Sequence, residues 1–249
     1  MAGDQNFLGA RWTSALAEHA PNPLRRPVAL WLLSLSPHYF YGRDREAESE
    51  RNRTSRQQLA NEILLPKLHP DFDVLDYGCG PGYLAHAVAP HVRTVHAVDI
   101  SRGALACARV LNPAPNVKYD TPDGFATSAA MVDFAYSFAV AQHLTDDVLR
   151  TVLARIARSL RPNGLLYLHI VLDAPGWRKE ASWRADTSLP GRMRMRVGLR
   201  CFARTEASVR AMVGQAGLTD VQIEPVAGRG ASDDDIGSQH LLIARRPPR

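Results

Sequence analysis

No run of about 18 uncharged apolar residues, the length a membrane-spanning helix needs, occurs in this 249-residue chain. The most apolar early stretch, Val28 to Leu35, ends at Ser36-Pro37 and reads as a buried or lipid-brushing segment. The N-terminus lacks a basic start followed by an apolar run and a cleavage signal. A cytoplasmic location is therefore expected. Cysteine is scarce: Cys79, Cys107 and Cys201 are scattered. That spacing excludes a disulfide framework and shows no paired metal-ligand pattern, so no metal ligand is assigned. No internal repeat and no appended nucleic-acid-binding module is visible.

What is present suffices for one sizeable core, since 45% of the residues are hydrophobic. Formal net charge is +5. Part of it lies between Trp177 and Arg204, where Arg178, Lys179, Arg184, Arg192, Arg194, Arg196, Arg200 and Arg204 face only Glu180 and Asp186. Such a stretch attracts phosphate, carboxylate or nucleic acid, or is simply a solvated arginine-rich surface. Both readings stay open.

Strand-like and helix-like segments alternate, which predicts an α/β domain. Leu8 to His19 reads as a short helix. Pro21, Pro23, Pro27 and Pro37 then break the chain repeatedly. His38-Tyr39-Phe40-Tyr41 reads as a hydrophobic plug tying the arm to the core, or as a cover over a pocket. Ser55 to Leu68 is a helix with Leu59, Ile63 and Leu64 in a stripe. Strands are expected at 71–77, 94–100, 117–119, 131–137, 165–172, 218–226 and 240–244, and helices at 83–89, 103–111, 147–160 and 205–216. The 147–160 helix carries Val148, Val152, Leu153, Ile156 and Leu160 on one side, and Arg161-Pro162-Asn163-Gly164 ends it with a turn. Thr205 can cap the last helix and Gly217 can end it. Asp173 to Arg204, long and basic, breaks the rhythm and reads as an insertion beside the active site. Gly228 to Gly237 is a polar loop.

The sharpest pattern is Val74-Leu75-Asp76-Tyr77-Gly78-Cys79-Gly80-Pro81-Gly82. It is a strand entering a glycine turn, where the backbone can approach a ligand closely. GxGxG alone also suits a dinucleotide. Asp76, just before the glycines, opposes a pyrophosphate and suits an ammonium group instead, and Pro81 departs from the dinucleotide fingerprint. Asp99 closes the next strand, where a carboxylate accepts both ribose hydroxyls. That residue suits NAD equally.

These residues resemble the class I S-adenosylmethionine-dependent methyltransferase family, small-molecule type. By that resemblance Asp76, Gly78, Cys79, Gly80 and Gly82 line the methionine end of the S-adenosylmethionine cofactor. Val98-Asp99-Ile100 resembles the second motif, with Asp99 on the ribose and Ile100 beside the adenine. Asp120 stands near the adenine amino group, with Asp123 as its rival. Phe134 to His143, including Ser137, resembles the wall between cofactor and acceptor. The resemblance implies a three-layer Rossmann-like fold: a mostly parallel seven-stranded sheet with an antiparallel last strand, an N-terminal arm and a cap insertion. The implied parts are an arm or lid at 1–54, a cofactor-binding core at 55–172, a cap at 173–204 and the rest of the core at 205–249.

The implied chemistry is methyl transfer to a small-molecule acceptor, foremost a hydroxyl of a sugar, glycan or natural product, anionic or glycosidic in character. His143, after the fourth strand, is a candidate base or a residue that orders its loop. His169 points into the same pocket or is buried beside the next helix; with Asp173 it forms at most a weak metal pair. Nitrogen or carbon transfer, and an RNA or protein acceptor on the basic 178–204 region, are the alternatives, with an NAD-binding oxidoreductase more remote. Nucleic acid is disfavoured, because no appended binding module is seen; the DNA-adenine and related amide readings are weakened further, because Ser137-Phe138-Ala139-Val140 stands where an (Asn/Asp)-Pro-Pro-(Tyr/Phe) run would follow the fourth strand. A homo-oligomer stays open.

Overall fold

The computed structural model describes residues 11–36, 39–172, 177–191, 200–226 and 239–248. Leu8, His38, Asp173, Arg192, Arg194, Arg196 and the 228–237 loop, all singled out by sequence, lie outside them. The chain forms two compact units, 1–128 and 129–249.

The first unit opens with α1 (Arg11–His19) and α2 (Asn22–Ser34). Pro21, Pro23 and Pro27 do not break this region as expected, and Pro37 lies outside the described residues. Pro23 falls at the start of α2, where its missing N–H costs nothing, and Pro27 is carried inside the helix. Pro21 is the N-cap, and its carbonyl accepts from the N–H groups of Leu24 and Arg25. Phe40 is buried with Ala17, Ala29 and Leu33 against Ala106, Cys107 and Leu111, so the plug reading holds for it.

A long helix, α3 (Arg45–Leu59), begins ten residues before the expected start. Its sequence is polar throughout and buries only Ser49 and Leu59, so apolar periodicity has nothing to report. Asp44 caps it, accepting from the N–H groups of Glu46 and Ala47. The expected stripe follows in a π-helical turn, Ala60–Leu64, and Leu65–Lys67 closes as 3₁₀ around Pro66.

Then come β1 (Asp73–Tyr77), α4 (Tyr83–Val88), β2 (Thr94–Val98), α5 (Arg102–Leu111), β3 (Val117–Asp120) and a helix not foreseen, α6 (Pro122–Thr127). Thr121 caps α6 by accepting from the Gly124 N–H. The three strands pair in parallel.

The second unit holds β4 (Val132–Ser137), a 3₁₀ turn at Ala141–His143, α7 (Asp146–Ser159), β5 (Leu160–Val171), α8 (Glu180–Ala185), α9 (Glu206–Gln215), β6 (Thr219–Pro225) and β7 (Gln239–Arg245). In α7 the buried side is Leu149, Val152, Leu153, Ile156 and Ala157; Leu149 takes the place expected of Val148. The Arg161–Gly164 turn is absorbed into β5 as a register shift against β4. Asn163 takes φ +65°, a left-handed conformation asparagine tolerates. The apolar run Leu166 to Val171 is buried on both faces, as expected. Thr205 caps α9 through the Ser208 N–H, and Gly217 follows at φ +80°.

The seven strands lie in the order β3-β2-β1-β4-β5-β7-β6. β4 and β5 are parallel, and β7 is antiparallel to both β5 and β6. This is the mixed Rossmann-like sheet with an antiparallel last strand that the sequence implied. Among the described residues no helix is long and apolar enough to cross a membrane.

Candidate functional site

In the first unit the glycine turn is built by its neighbours. The N–H groups of Gly78 and Cys79 both donate to the Val98 carbonyl, at 2.7 and 3.0 Å, so the end of β2 holds the start of the turn. The Gly80 N–H donates to Asp99 Oδ2 at 2.8 Å, and the Ser101 N–H to Oδ1 at 2.7 Å. Two of the roughly four lone-pair sites of a carboxylate are used by these bonds. They orient Asp99 beside the turn. The Asp99 N–H in turn donates to the Asp120 carbonyl at 3.2 Å, which brings the ends of β2 and β3 together.

Two positions in the turn admit only glycine. Gly82 has φ +80°, and a Cβ there would lie 2.5 Å from the Tyr119 hydroxyl. Gly80 has φ +51°, and its Cβ would come within 3.1 Å of the Tyr39 ring. Tyr119 is fixed by donating to the Asn112 carbonyl at 2.8 Å, while the Asn112 amide donates to the Pro81 carbonyl at 2.8 Å. Tyr39, Asn112 and Tyr119 were not singled out as site residues. Only the aromatic run around Tyr39 hinted at a cover, and nothing local marks Asn112 or Tyr119.

Asp76 is 2% exposed at the end of β1. Cys79 is buried beside it. Burial pushes the Cys79 thiol well up, and the Asp76 and Asp99 carboxylates add to the effect. It therefore stays a neutral thiol, consistent with a small filler rather than a nucleophile. Ile100 is 60% exposed, an apolar side chain left at the surface beside Asp99. Asp120 ends β3, its Oδ1 accepting from the Thr121 N–H at 2.7 Å. A Cβ on Gly124 would lie 2.1 Å from that carboxylate, so Gly124 makes room for Asp120. Asp123 stands on the exposed first turn of α6. Asp76, the glycines, Asp99, Ile100 and Asp120 thus gather on one end of β1, β2 and β3.

The second unit carries the other candidates. Ser137 is buried at the end of β4. His169, buried on β5, has both ring nitrogens engaged. Its Nδ1 accepts from the Ala139 N–H at 3.3 Å, which leaves Nε2 as the N–H that donates to Gln239 Oε1 at 3.1 Å. Its ring stacks on Phe138 at 6.0 Å. Ala139 has φ +58°, a strained value for a residue with a Cβ, and His169 helps to hold it there. His143 is half-buried, with Nδ1 3.0 Å from the Arg200 carbonyl. A carbonyl only accepts, so Nδ1 carries the proton and Nε2 is the basic nitrogen.

Among the described residues of the basic region, Arg178, Arg184, Arg200 and Arg204 are engaged inside this unit. Arg204 is nearly buried; it donates to Asp146 at 2.9 Å, to the Ala141 carbonyl at 2.8 Å and to the Leu144 carbonyl. Arg178 pairs with Asp186 at 2.7 Å and lies over the Trp183 ring. Arg184 pairs with Glu180, and Arg200 lies over Phe202. Trp183 is buried, donating to the Cys201 carbonyl at 3.0 Å.

A parallel sheet with a glycine turn after β1 and a carboxylate after β2 defines a Rossmann-like nucleotide-binding class. The profile of a methyltransferase domain matches residues 74–164, from β1 into β5. A Mycobacterium tuberculosis protein named "Probable S-adenosylmethionine-dependent methyltransferase" is 35% identical over 111 residues, 45% of this chain and 39% of that protein. A malonyl-[acyl-carrier protein] O-methyltransferase of Pectobacterium atrosepticum is 29% identical over 141 residues, 57% of this chain and 53% of that protein. The chain thus spans about two fifths to half the length of these relatives. Among solved structures, the mitomycin 7-O-methyltransferase shares the fold with a TM-score of 0.58 at 19% identity, over 94% of this chain and 60% of that one. The segment from β1 into β5 is thus similar to a methyltransferase domain, within a Rossmann-like fold.

Proposed function

We propose that this protein binds S-adenosylmethionine and transfers its methyl group to a hydroxyl of a small molecule such as a sugar, glycan or natural product. The observation that carries the cofactor reading is the pair of carboxylates flanking the glycine turn. Asp76 is buried at one side and Asp99 is bonded to the Gly80 N–H at the other. A buried carboxylate repels a pyrophosphate and welcomes an ammonium group. Gly80 and Gly82 take positive φ, which lets the backbone of the turn curl back beside these carboxylates. The residues present therefore fit an adenosine carrying a cationic amino-acid tail. Asp76 would take the ammonium, Asp99 the ribose hydroxyls, and Ile100 with Asp120 the adenine, with Cys79 lining the turn.

When bound, the cofactor supplies an activated methyl on a sulfonium. The chain's task is to align the acceptor and exclude water, which contributes much of the rate in such reactions. A hydroxyl also needs its proton removed as it is methylated. His143 serves as that base through Nε2, since Nδ1 is committed to the Arg200 carbonyl. His169 acts as a positioning residue that holds the loop after β4 through the Ala139 N–H. We assign 1–54 as an arm, 173–204 as a cap, and 55–172 with 205–249 as the core.

The test is incubation with methyl-labelled S-adenosylmethionine and a cell extract, followed by fractionation into polar metabolites, lipids, nucleic acid and protein. Label in polar metabolites, lost in His143→Ala, is the expected outcome. Label confined to RNA or protein would refute the small-molecule acceptor and recast the basic region as a docking surface.

A further inference from the structure

The apolar side chains left at the surface are not spread evenly. Eight large ones are exposed among the described residues, and six of them stand between Trp12 and Tyr41. Five belong to the first two helices: Trp12 and Leu16 on α1, Leu24 and Trp31 on α2, and Leu35 at its C-cap. Each of these five is 37–52% exposed. Scattered singly they would need no explanation, but their spacing groups them. Trp12 and Leu16 are i and i+4. Leu24, Val28, Trp31 and Leu35 are i, i+4, i+7 and i+11, with Val28 half-buried.

The inner faces of these helices are already occupied. Ala17 of α1 and Ala29, Leu30, Leu32 and Leu33 of α2 pack with Ala106, Cys107 and Leu111 of α5. The exposed stripes are thus a second apolar side on each helix, and neither stripe contains a carboxylate. Residues 11–43 hold four arginines and one acid, Glu18, which pairs with Arg109. Arginines also stand at both ends of the α2 stripe. Arg25 follows Leu24 and donates to the Ala20 carbonyl at 3.0 Å. Arg45 donates at 3.1 Å to Ser34 Oγ, on the residue before Leu35. Neither arginine has a carboxylate partner among the described residues.

We propose that the outer face of α1 and α2 docks on an anionic membrane surface without crossing it. Helices of 9 and 13 residues are too short to span a bilayer. Lying in its plane, they can sink leucine and tryptophan side chains into the boundary between headgroups and acyl chains. An indole suits that boundary, because its body is apolar and its N–H meets the wet side. Arg25 and Arg45 face lipid phosphates, which attract basic side chains beside an apolar contact. A second copy of this chain on the same face would bring these arginines against their own kind. An anionic bilayer satisfies both the apolar stripe and its cationic ends.

The experiment sediments the full chain with sucrose-loaded vesicles, either of phosphatidylcholine alone or of phosphatidylcholine mixed with phosphatidylglycerol. Binding to the mixed vesicles, weaker at higher salt, is expected. Leu24→Ser combined with Trp31→Ser should lower the partition coefficient about 10- to 100-fold. Arg25→Gln combined with Arg45→Gln should lower it about tenfold on the mixed vesicles only. Leu189→Ser removes an exposed leucine elsewhere and should bind as wild type does. Circular dichroism establishes that each variant is folded before its binding is compared. No binding of wild type to the mixed vesicles, or binding that both double variants retain, would overturn the proposal. A dimer in solution that Leu24→Ser with Trp31→Ser dissolves, with no vesicle binding, would overturn it in favour of a second copy on this face.

Discussion

At the scale of single residues, the glycine turn is the least tolerant part of the chain. Gly82→Ala places a methyl 2.5 Å from the Tyr119 hydroxyl and at a left-handed φ. Each such strain costs about 1–3 kcal/mol, so chemical denaturation should show a loss of about that size. Asp99→Ala removes the acceptor of the Gly80 and Ser101 N–H groups and, on the proposed reading, one ribose ligand. It should abolish detectable S-adenosylhomocysteine binding in calorimetry while the protein stays folded. The two histidines separate by kinetics. His143→Ala should lower kcat and remove the acidic limb of its pH profile, since the base is gone. His169→Leu strands the Ala139 N–H and Gln239 Oε1. It should lower stability by about 1–3 kcal/mol and lower kcat without moving that limb. An unchanged pH profile in His143→Ala would remove the base from the mechanism.

At the scale of elements, local caps and one buried arginine decide the second unit. Arg204 ties the Ala141 and Leu144 carbonyls and Asp146 together, around the turn that carries His143. Asp146 keeps 39% of its side chain exposed, so the pair is only half desolvated. Arg204→Met should therefore cost about 2–4 kcal/mol, somewhat less than a fully buried pair. It should also raise KM for the acceptor, because the His143 turn loses its anchor. Thr205→Ala removes only the α9 cap. A loss of about 1 kcal/mol is expected, with S-adenosylhomocysteine affinity unchanged in the same calorimetric assay.

For the whole molecule, binding and stability are linked. A ligand that binds only the folded state at a hundred times its Kd adds about 2.7 kcal/mol. For a chain of this length each kcal/mol moves Tm by about 2–4 °C. S-adenosylhomocysteine should thus raise Tm by about 5–10 °C in a thermal-shift assay, and NAD should leave it unchanged. A rise with NAD alone would favour the dinucleotide reading. Within the basic stretch, several described arginines have carboxylate partners. Arg178, Arg184 and Arg204 are each paired with a carboxylate inside the second unit. Arg204 is buried in its pair, whereas Arg178 and Arg184 stay exposed in theirs.

Sequence alone determined the sheet, the glycine turn and the two carboxylates around it. Buried strands are written as apolar runs, and a turn at positive φ demands glycine whatever surrounds it. The cap at Thr205 and the stop at Gly217 were legible for the same reason, since both are local. Tertiary structure decided what depends on distant partners. Helix α3 was half missed because its face meets the turn through Ser49 on Tyr83 and Asn52 on Tyr39 rather than through an apolar stripe. Pro27 sits in a helix because packing against α5 outweighs one lost hydrogen bond. His169 is spoken for by Ala139 and Gln239, 30 and 70 residues away. Tyr119 and Asn112 brace the turn from β3 and the end of α5, with no mark in their own neighbourhood. Propensity and periodicity act over a few residues, whereas hydrogen bonds between buried side chains and remote backbone exist only once the chain has folded.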